Sequence, residues 1–398
     1  MRALIVGCGI AGTVTAMALQ KVGIEATLFE AFEQGADGVG GFLTLATNGV
    51  AALKSVGIDA RSLGGFDTPR MTLALSDGAT LAMYALGGGS SVDAVAQTIK
   101  RADLYAGLRD EALRRGIRIE MGKRLVGAEE RPDGVVVARF ADGSSAEGDL
   151  LIGADGLRSQ LRRLIDPQAP AGRYVPLLNV GGYARGVATG AQAGTMRMVF
   201  GKRCFFGFVP RPDGEVWWFA NISQPQELDR DALAQITPEE WQDKVLSLVE
   251  GDRSPAAALV RATEGPIAGW ATYDLPRVAR WHRGRMLIVG DAAHATSPSS
   301  GQGASMAIED AVVLARCLRD VPGIEAAFGT YECERRERVE AVVAQGRRNG
   351  SGKTPGPLGR IARDLMLRLV FRRLAREGGD PMAWITRHRV SLAPASTS

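Results

Sequence analysis

Two glycine-bearing segments, far apart in the chain, carry its clearest chemistry. Gly7-Cys8-Gly9-Ile10-Ala11-Gly12 follows a short apolar run, Ala3 to Val6, and precedes a helical pattern from Thr13 to Val22. A second apolar run, Glu25 to Phe29, delivers an acid, Glu30, close to the roughly 20-residue spacing of a dinucleotide fingerprint. Glycines there let the main chain turn tightly and approach a pyrophosphate at a helix N-terminus, where free N–H groups and the dipole favour an anion. Glu30 is then placed to accept hydrogen bonds from an adenosine ribose. A glycine turn without ligand is the plain alternative; strand, turn, helix and acid in that order argue against it.

The second segment repeats the logic. Arg285 to Val289 reads as a strand ended by Gly290-Asp291-Ala292-Ala293-His294. Pro298-Ser299-Ser300-Gly301-Gln302-Gly303-Ala304 then opens a helix running to about Leu318. A chain holding both segments suits a long cofactor gripped at both ends. Asp291 is an acceptor for a hydroxylated ligand or a buried N-cap acid. His294 reads as a packed histidine bonding backbone in preference to a catalytic one.

The elements that must position these residues divide into three parts. Residues 1–70, 96–170 and 280–345 read as a discontinuous α/β nucleotide-binding domain. It includes a glycine-rich loop (35–41), a helix from Arg101 to Arg115 with Leu104, Leu108 and Leu113 on its buried face, and the buried strand Leu150 to Ile152 leading to Gly153-Ala154-Asp155-Gly156. Residues 71–95 and 171–279 read as an inserted, mostly β domain, with a hairpin turning at Asp77-Gly78 and an aromatic cluster of Phe205, Phe206, Phe208, Trp217, Trp218 and Phe219. Residues 346–398 form a C-terminal extension. A charged helix from Tyr331 to Arg348 leads through a linker (349–356) to a helix placing Leu358, Ile361, Leu365, Met366, Leu369, Val370 and Leu374 on one face, with arginines largely off it. Docking of that face on the chain's own surface is the leading expectation; a peripheral membrane or partner contact is the other. Beyond Ser391 the composition suggests disorder.

Composition narrows the classes. The 398 residues allow large cores, and a net charge of +4 does not by itself imply nucleic acid. No run of 18 or more apolar residues predicts a transmembrane helix, and the nucleotide turn accounts for the apolar N-terminus without a signal peptide. Cys8, Cys204, Cys317 and Cys333 lack C-x-x-C spacing, and the three histidines are scattered. That pattern predicts no metal site, no Ser-His-Asp triad and a reduced, cytoplasmic setting.

With its middle motifs added, the chain resembles the single-component FAD-dependent aromatic hydroxylases and monooxygenases over roughly residues 1–345. The carrying residues are Arg101-Ala102-Asp103-Leu104, Asp155-Gly156-Leu157-Arg158-Ser159, and Gly290 to His294 followed by Pro298, Gly301, Gln302, Gly303, Glu309 and Asp310. The resemblance implies a Rossmann-like FAD-binding domain with an inserted substrate domain, tightly bound FAD, and transient NADPH or NADH. In that family NAD(P)H reduces the flavin, O2 adds at flavin C4a, and one oxygen atom enters an apolar organic substrate. It assigns cofactor contacts to Gly7, Gly9, Ile10, Ala11, Gly12, Glu30, Arg101, Asp155, Gly156, Gly290, Asp291, Pro298, Gly301, Gly303 and Ala304. A helix beginning near Gly301 would aim its N–H groups at the flavin N1 and C2 oxygen. Arg158 is weighed evenly between ligand and solvent, and Arg162 lower. Ala31 and Ser305 depart from the family's usual residues.

On the substrate side, Tyr183-Ala184-Arg185-Gly186 resembles a family segment whose arginine points toward flavin and substrate. Arg185, Phe206, Phe208 and Trp218 are the candidate substrate contacts, with core packing a strong alternative for the aromatics. No acid or base stands out. A flavin-dependent reductase or dehydrogenase without oxygen insertion, and a non-enzymatic flavoprotein binding a partner through the basic C-terminal helix, remain the alternatives.

Overall fold

The computed structural model describes residues 1–33, 41–87, 94–351, 353, 357–377 and 382–393. The glycine-rich stretch 35–41 therefore lies almost wholly outside the described residues, as does the end of the tail.

Arg2–Val6 sits mid-sheet, with Glu25–Phe29 and then Arg118–Glu120 on one side and Leu150–Gly153 and Met286–Ile288 on the other, all parallel. His282–Arg283 closes one edge as an antiparallel strand. These strands read as continuous apolar runs because they are covered by more than one layer: the Ile10–Lys21 helix packs on them, and so does a three-stranded antiparallel sheet of Leu125–Glu130, Val136–Phe140 and Ser145–Gly148, with Phe140 stacked on Phe29 at 4.8 Å between centroids. The Ile10–Lys21 and Gly303–Asp320 helices pack side by side, so the two glycine segments open at the same end of the sheet.

The second large sheet has seven strands. In spatial order they are Thr263–Asp274, Arg173–Ala184, Val216–Ser223, Phe205–Pro210, Thr195–Phe200, Arg70–Leu75 and Thr80–Ala85. The hairpin at Asp77-Gly78 thus joins strands far away in sequence. Alternation gives this sheet two different faces. One packs Phe206, Phe208 and Trp218 against Trp241, Val245 and Val249 of the Pro238–Val249 helix and Leu259 and Val260 of the next. Phe206 stacks on Trp218 with centroids 5.4 Å apart. The other face carries Val209, Trp217 and Phe219 and turns toward Phe42 and Phe66, whose strands both pair with Gln97–Lys100.

This corrects the expectation for Phe206, Phe208 and Trp218. All three are fully buried in the core on the far face, so none lines a substrate surface. Composition marked the strands as aromatic, but only the packing of the 238–249 helix decides which parity is core.

Three smaller differences have simple causes. Leu113 is exposed, because Ala112 continues the Leu104–Leu108 line and the following residue swings away by about 100°. The helix expected to end near Arg348 runs Ile324–Ser351, its last turn held by Gln345 donating to Asn349 and by Asn349 donating to the Ser299 carbonyl. The tail is anchored further than expected: Ile385 and Val390 join the main core, and Arg319 donates to the Leu392 carbonyl.

The Pro357–Glu377 helix reverses its expected orientation. Ile361, Leu365, Met366, Leu369 and Val370 are 44–63% exposed, whereas Arg363 is buried and donates to the carbonyls of Phe200, Gly201 and Lys353. Phe371 contacts Tyr84 edge-on at 6.4 Å, and Arg368 pairs with Asp77. Among the described residues no helix is long and apolar enough to cross a membrane.

Phe208→Ala is expected to destabilise the protein by about 3–5 kcal/mol, the cost of truncating a buried phenylalanine. Urea denaturation measures it. A change below about 1 kcal/mol would place Phe208 outside the core.

Candidate functional site

The first glycine turn is shaped by contacts that only glycine permits. Gly7 has φ of +100°, and a Cβ there would lie 2.3 Å from the Ala154 carbonyl oxygen. A Cβ on Gly12 would lie 1.9 Å from the Gly7 carbonyl oxygen, so helix and turn interlock. The same turn meets the second segment: the Cβ position of Gly290 lies 3.0 Å from the Ala11 Cβ. Glu30 closes the turn, accepting from the Cys8 N–H at 2.8 Å and the Phe32 N–H at 3.1 Å, with lone pairs left over.

Capping differs among the helices. Thr237 forms a capping box, and Asp229 and Ser159 accept from their helices' first turns. The helices starting at Ile10, Arg101 and Gly303 have no side-chain cap. The Thr47–Ser55 and Ala256–Arg261 helices lack one too, so an uncapped end alone marks no site; the Arg101 N–H is taken by the Gly41 carbonyl, and the other first-turn N–H groups at Ile10 and Gly303 are donors that an anionic or electron-rich ligand could use.

Asp291 and Arg101 have an unusual setting. Both are exposed, yet protein atoms surround them closely, which is how residues lining a deep groove look. Desolvation pushes the Asp291 carboxyl up, partly offset by His294 and Arg101. Among the described residues its oxygens accept no hydrogen bond, so a polyhydroxylated chain in the groove would satisfy them. Arg101 donates to the Tyr105 hydroxyl at 3.1 Å. Tyr105 in turn lies 3.2 Å from the Cβ position of Gly9, so this wall also faces the first turn. Pro298 and Gly301 are exposed, Gly303 and Ala304 half-buried, and a Cβ on Gly301 would meet nothing within 4 Å. The loop thus presents main chain to open space.

Beneath the groove lies a buried ionic network. Asp310 accepts from the Gly290 N–H at 2.9 Å, lies 2.6 Å from His294 Nε2, and accepts from Arg335 Nε at 2.8 Å. Glu309 accepts from Arg335, from Arg338 and from Asn48 Nδ2, and Asn48 also reaches Gln302 Oε1 at 3.1 Å. Burial alone would raise the Asp310 pKa, but His294 and Arg335 outweigh it and hold the carboxyl at about 2. His294 therefore bonds a carboxylate where a backbone partner was expected. Arg335, Arg338 and Asn48 are residues that sequence reasoning missed. Their one signal was two arginines three apart, on a helix long enough to lie beside Glu309 and Asp310.

The other expected residues divide. Asp155 accepts from the Gln160 and Leu161 N–H groups through Oδ2, while its buried Oδ1 has no hydrogen-bond partner among the described residues. Arg162 turns inward to the carbonyls of Ala292 and Leu157, so it does not face the groove. Arg158 is exposed. Arg185 lies at the margin of the Trp217 face, within 4.0 Å of Glu215, Asp213 and Glu264. Three carboxylates make it a poor receptor for an anion. The face itself adds Tyr183, Trp217, Phe219, Phe205, Asn179 and Asn221, none of which was singled out as a ligand contact.

Comparison with known proteins agrees with this geometry. Residues 1–346 match the family described as FAD binding domain. The aurachin C monooxygenase/isomerase of Stigmatella aurantiaca is 31% identical, covering 87% of this chain and 88% of that protein. The 3-amino-4-hydroxybenzoate 2-monooxygenase PtnB3 of Streptomyces platensis is 35% identical, covering 88% and 87%. The HpxO structure from Klebsiella pneumoniae, complexed with FAD and uric acid, superposes with a TM-score of 0.81 at 27% identity, covering 97% of this chain and 95% of that one.

Arg335→Met should cost about 3–5 kcal/mol, because it removes the guanidinium shared by two buried carboxylates and leaves Glu309 to Arg338 and Asp310 to His294. The Asp310 pKa is lowered by folding, so its contribution is complete above the unfolded value of 3.8 and is lost as pH falls toward about 2. Denaturant midpoints between pH 5 and pH 3 should fall less steeply in Asp310→Asn than in the parent. Equal slopes would remove Asp310 as the source.

Proposed function

The chain belongs to the FAD-dependent aromatic hydroxylases and monooxygenases, and from that membership we propose that it uses NADPH or NADH and O2 to put one oxygen atom into an apolar, aromatic or polycyclic small molecule. It is a FAD-dependent monooxygenase, and the flavin supplies the redox and oxygen-activating chemistry when bound. In this reading residues 1–70, 96–170 and 280–345 hold the cofactor, and 71–95 and 171–279 hold the substrate.

The chain's own residues divide the work. Gly7, Gly9, Ile10, Ala11 and Gly12 would admit the pyrophosphate, and Glu30 would take the adenosine ribose. Arg101 and Asp291 would hold the ribityl and phosphate region, with Asp155 and Gly156 closing the groove behind. Gly290, Pro298, Gly301, Gly303 and Ala304 would lay main chain against the ring. The free N–H groups at Gly303 would stabilise negative charge gathered there on reduction. Trp217 and Phe219 exclude water from the opposite side. The nicotinamide would visit transiently.

One observation carries this reading. Phe42 lies 5.5 Å from Trp217 and 6.0 Å from Phe219, and it pairs in register with Lys100, the residue before Arg101. Groove wall and aromatic face are therefore adjacent. The relatives are named for different substrates, which fits a substrate choice made on that face and not in the groove.

With ¹⁸O2, purified protein turning over NAD(P)H with an accepted substrate should place label in the organic product. Substrate-dependent NAD(P)H oxidation with no label incorporated would favour a reductase or dehydrogenase. Asp291→Ala should weaken FAD retention by about 1–3 kcal/mol, the loss of a charge-assisted hydrogen bond, as read by FAD titration of the apoprotein. Unchanged affinity in folded protein would show that Asp291 does not touch the cofactor.

A further inference from the structure

Lys353 lies just past the end of the 324–351 helix and outside the family match, and its side chain turns onto the Trp217 face of the seven-stranded sheet. It is 8% exposed. Its Nζ donates to Asn221 Oδ1 at 2.6 Å and sits 4.2 Å from the centre of the Phe205 ring. Asn221 donates to Asn179, and Asn179 donates to Thr272 at 2.8 Å. Register puts Asn179, Asn221 and Phe205 in one row across three strands, next to the row holding Phe219. The preceding turn touches the cofactor loop: Asn349 donates to the Ser299 carbonyl, and a Cβ on Gly350 would lie 3.5 Å from Ser299 Oγ. Lys353 thus stands between the loop and the aromatic face.

The ammonium is poorly matched by its own protein. It has three N–H donors, one neutral acceptor and one ring, and no charged group among the described residues offsets its burial. A buried charge without a counter-charge is costly, so a lysine kept only for packing would be replaced at a gain. Anchoring the chain does not require it either. Arg363 already ties the Lys353 carbonyl to those of Phe200 and Gly201. Burial pushes the Lys353 pKa down to about 7, and an anion beside it would restore the charged form. The other cations on that face already have carboxylates: Arg185 lies among Glu215, Asp213 and Glu264, Arg211 beside Asp213 and Glu215, and Lys100, over the Tyr183 and Trp217 rings, beside Glu215.

We propose that Lys353 is the anion-binding point of the substrate site, receiving a carboxylate or phenolate oxygen of an aromatic ring laid over Phe205 and Phe219. Asn221 and Asn179 orient the ammonium, so the chain prefers acidic aromatic substrates to neutral ones. The inference rests on the Trp217–Phe219 face being the substrate side.

The FAD-loaded full chain is titrated with benzoate and with its neutral analogue benzamide, reading the change in flavin absorbance. The parent should bind benzoate at least about tenfold more tightly than benzamide, as a charge-assisted contact requires. Lys353→Met should abolish that preference while leaving FAD content and benzamide binding unchanged, and Lys353→Arg should keep part of it. Phe219→Ala should weaken both probes alike. The proposal falls if the parent shows no preference for the anion. It also falls if Lys353→Met keeps the preference while Phe219→Ala still weakens both probes. If neither probe perturbs the flavin, or Phe219→Ala changes neither affinity, the substrate-side assignment fails and takes the proposal with it. Should Lys353→Met not fold, a Lys353→Gln variant that keeps the anion preference overturns it equally.

Discussion

The loop from Gly290 to Gln302 depends on two adjacent buried carboxylates, Glu309 and Asp310, and on the arginines that answer them. Neither acid is solvent-exposed, and isolated charges there would be expelled or neutralised. Arg335 bridges both, and Arg338 adds a fork to Glu309. Because Asp310 also holds the Gly290 N–H and His294, and Asn48 links Glu309 to Gln302, the network fixes both ends of the segment from 290 to 302. Within the loop, Ser297 Oγ accepts from the Ser299 N–H and Ser300 Oγ from the Gln302 N–H, which fixes its turn but not its place against the helix. Bracing against the helix comes from below, through Asp310 and Asn48.

The groove and its foundation obey opposite rules. Beneath, every charge has a partner. Above, Asp291 has no hydrogen bond among the described residues, although protein atoms surround it closely. An unmet charge is tolerated where water or a ligand can reach it; in the foundation the groups left without a partner among the described residues are neutral, such as Asn48 Oδ1. The contrast between neighbours one helix apart is what marks the groove as a binding surface.

The seven-stranded sheet shows the same economy of faces. One side is a closed core under the 238–249 helix, and the other carries half-buried Phe219, Tyr183 and Asn179 toward the loop. The C-terminal segment finishes that side. Arg363 turns inward because the backbone carbonyls of Phe200 and Gly201 lie there as acceptors, and the leucines of its helix are left facing out. Polar satisfaction of a few buried carbonyls outweighed the burial that hydrophobic periodicity alone would favour.

The sequence by itself determined the parts whose function is local. Gly7, Gly9 and Gly12 before a helix, Glu30 after the next strand, and the run from Gly290 to Gly303 are backbone constraints written in consecutive residues, and a turn needs no distant partner to be recognised. The strands and most helices were legible for the same reason, since their periodicity is a property of a short window. Tertiary structure alone decided which strand face is core. Trp217 and Trp218 are neighbours in sequence and point oppositely, and only the packed helix distinguishes them. It also decided that Arg335 meets Glu309, that Lys353 reaches Asn221, and that Arg363 rather than the leucines faces inward. Those are pairings across long chain separations, set by desolvation and the supply of partners, and no local pattern encodes them.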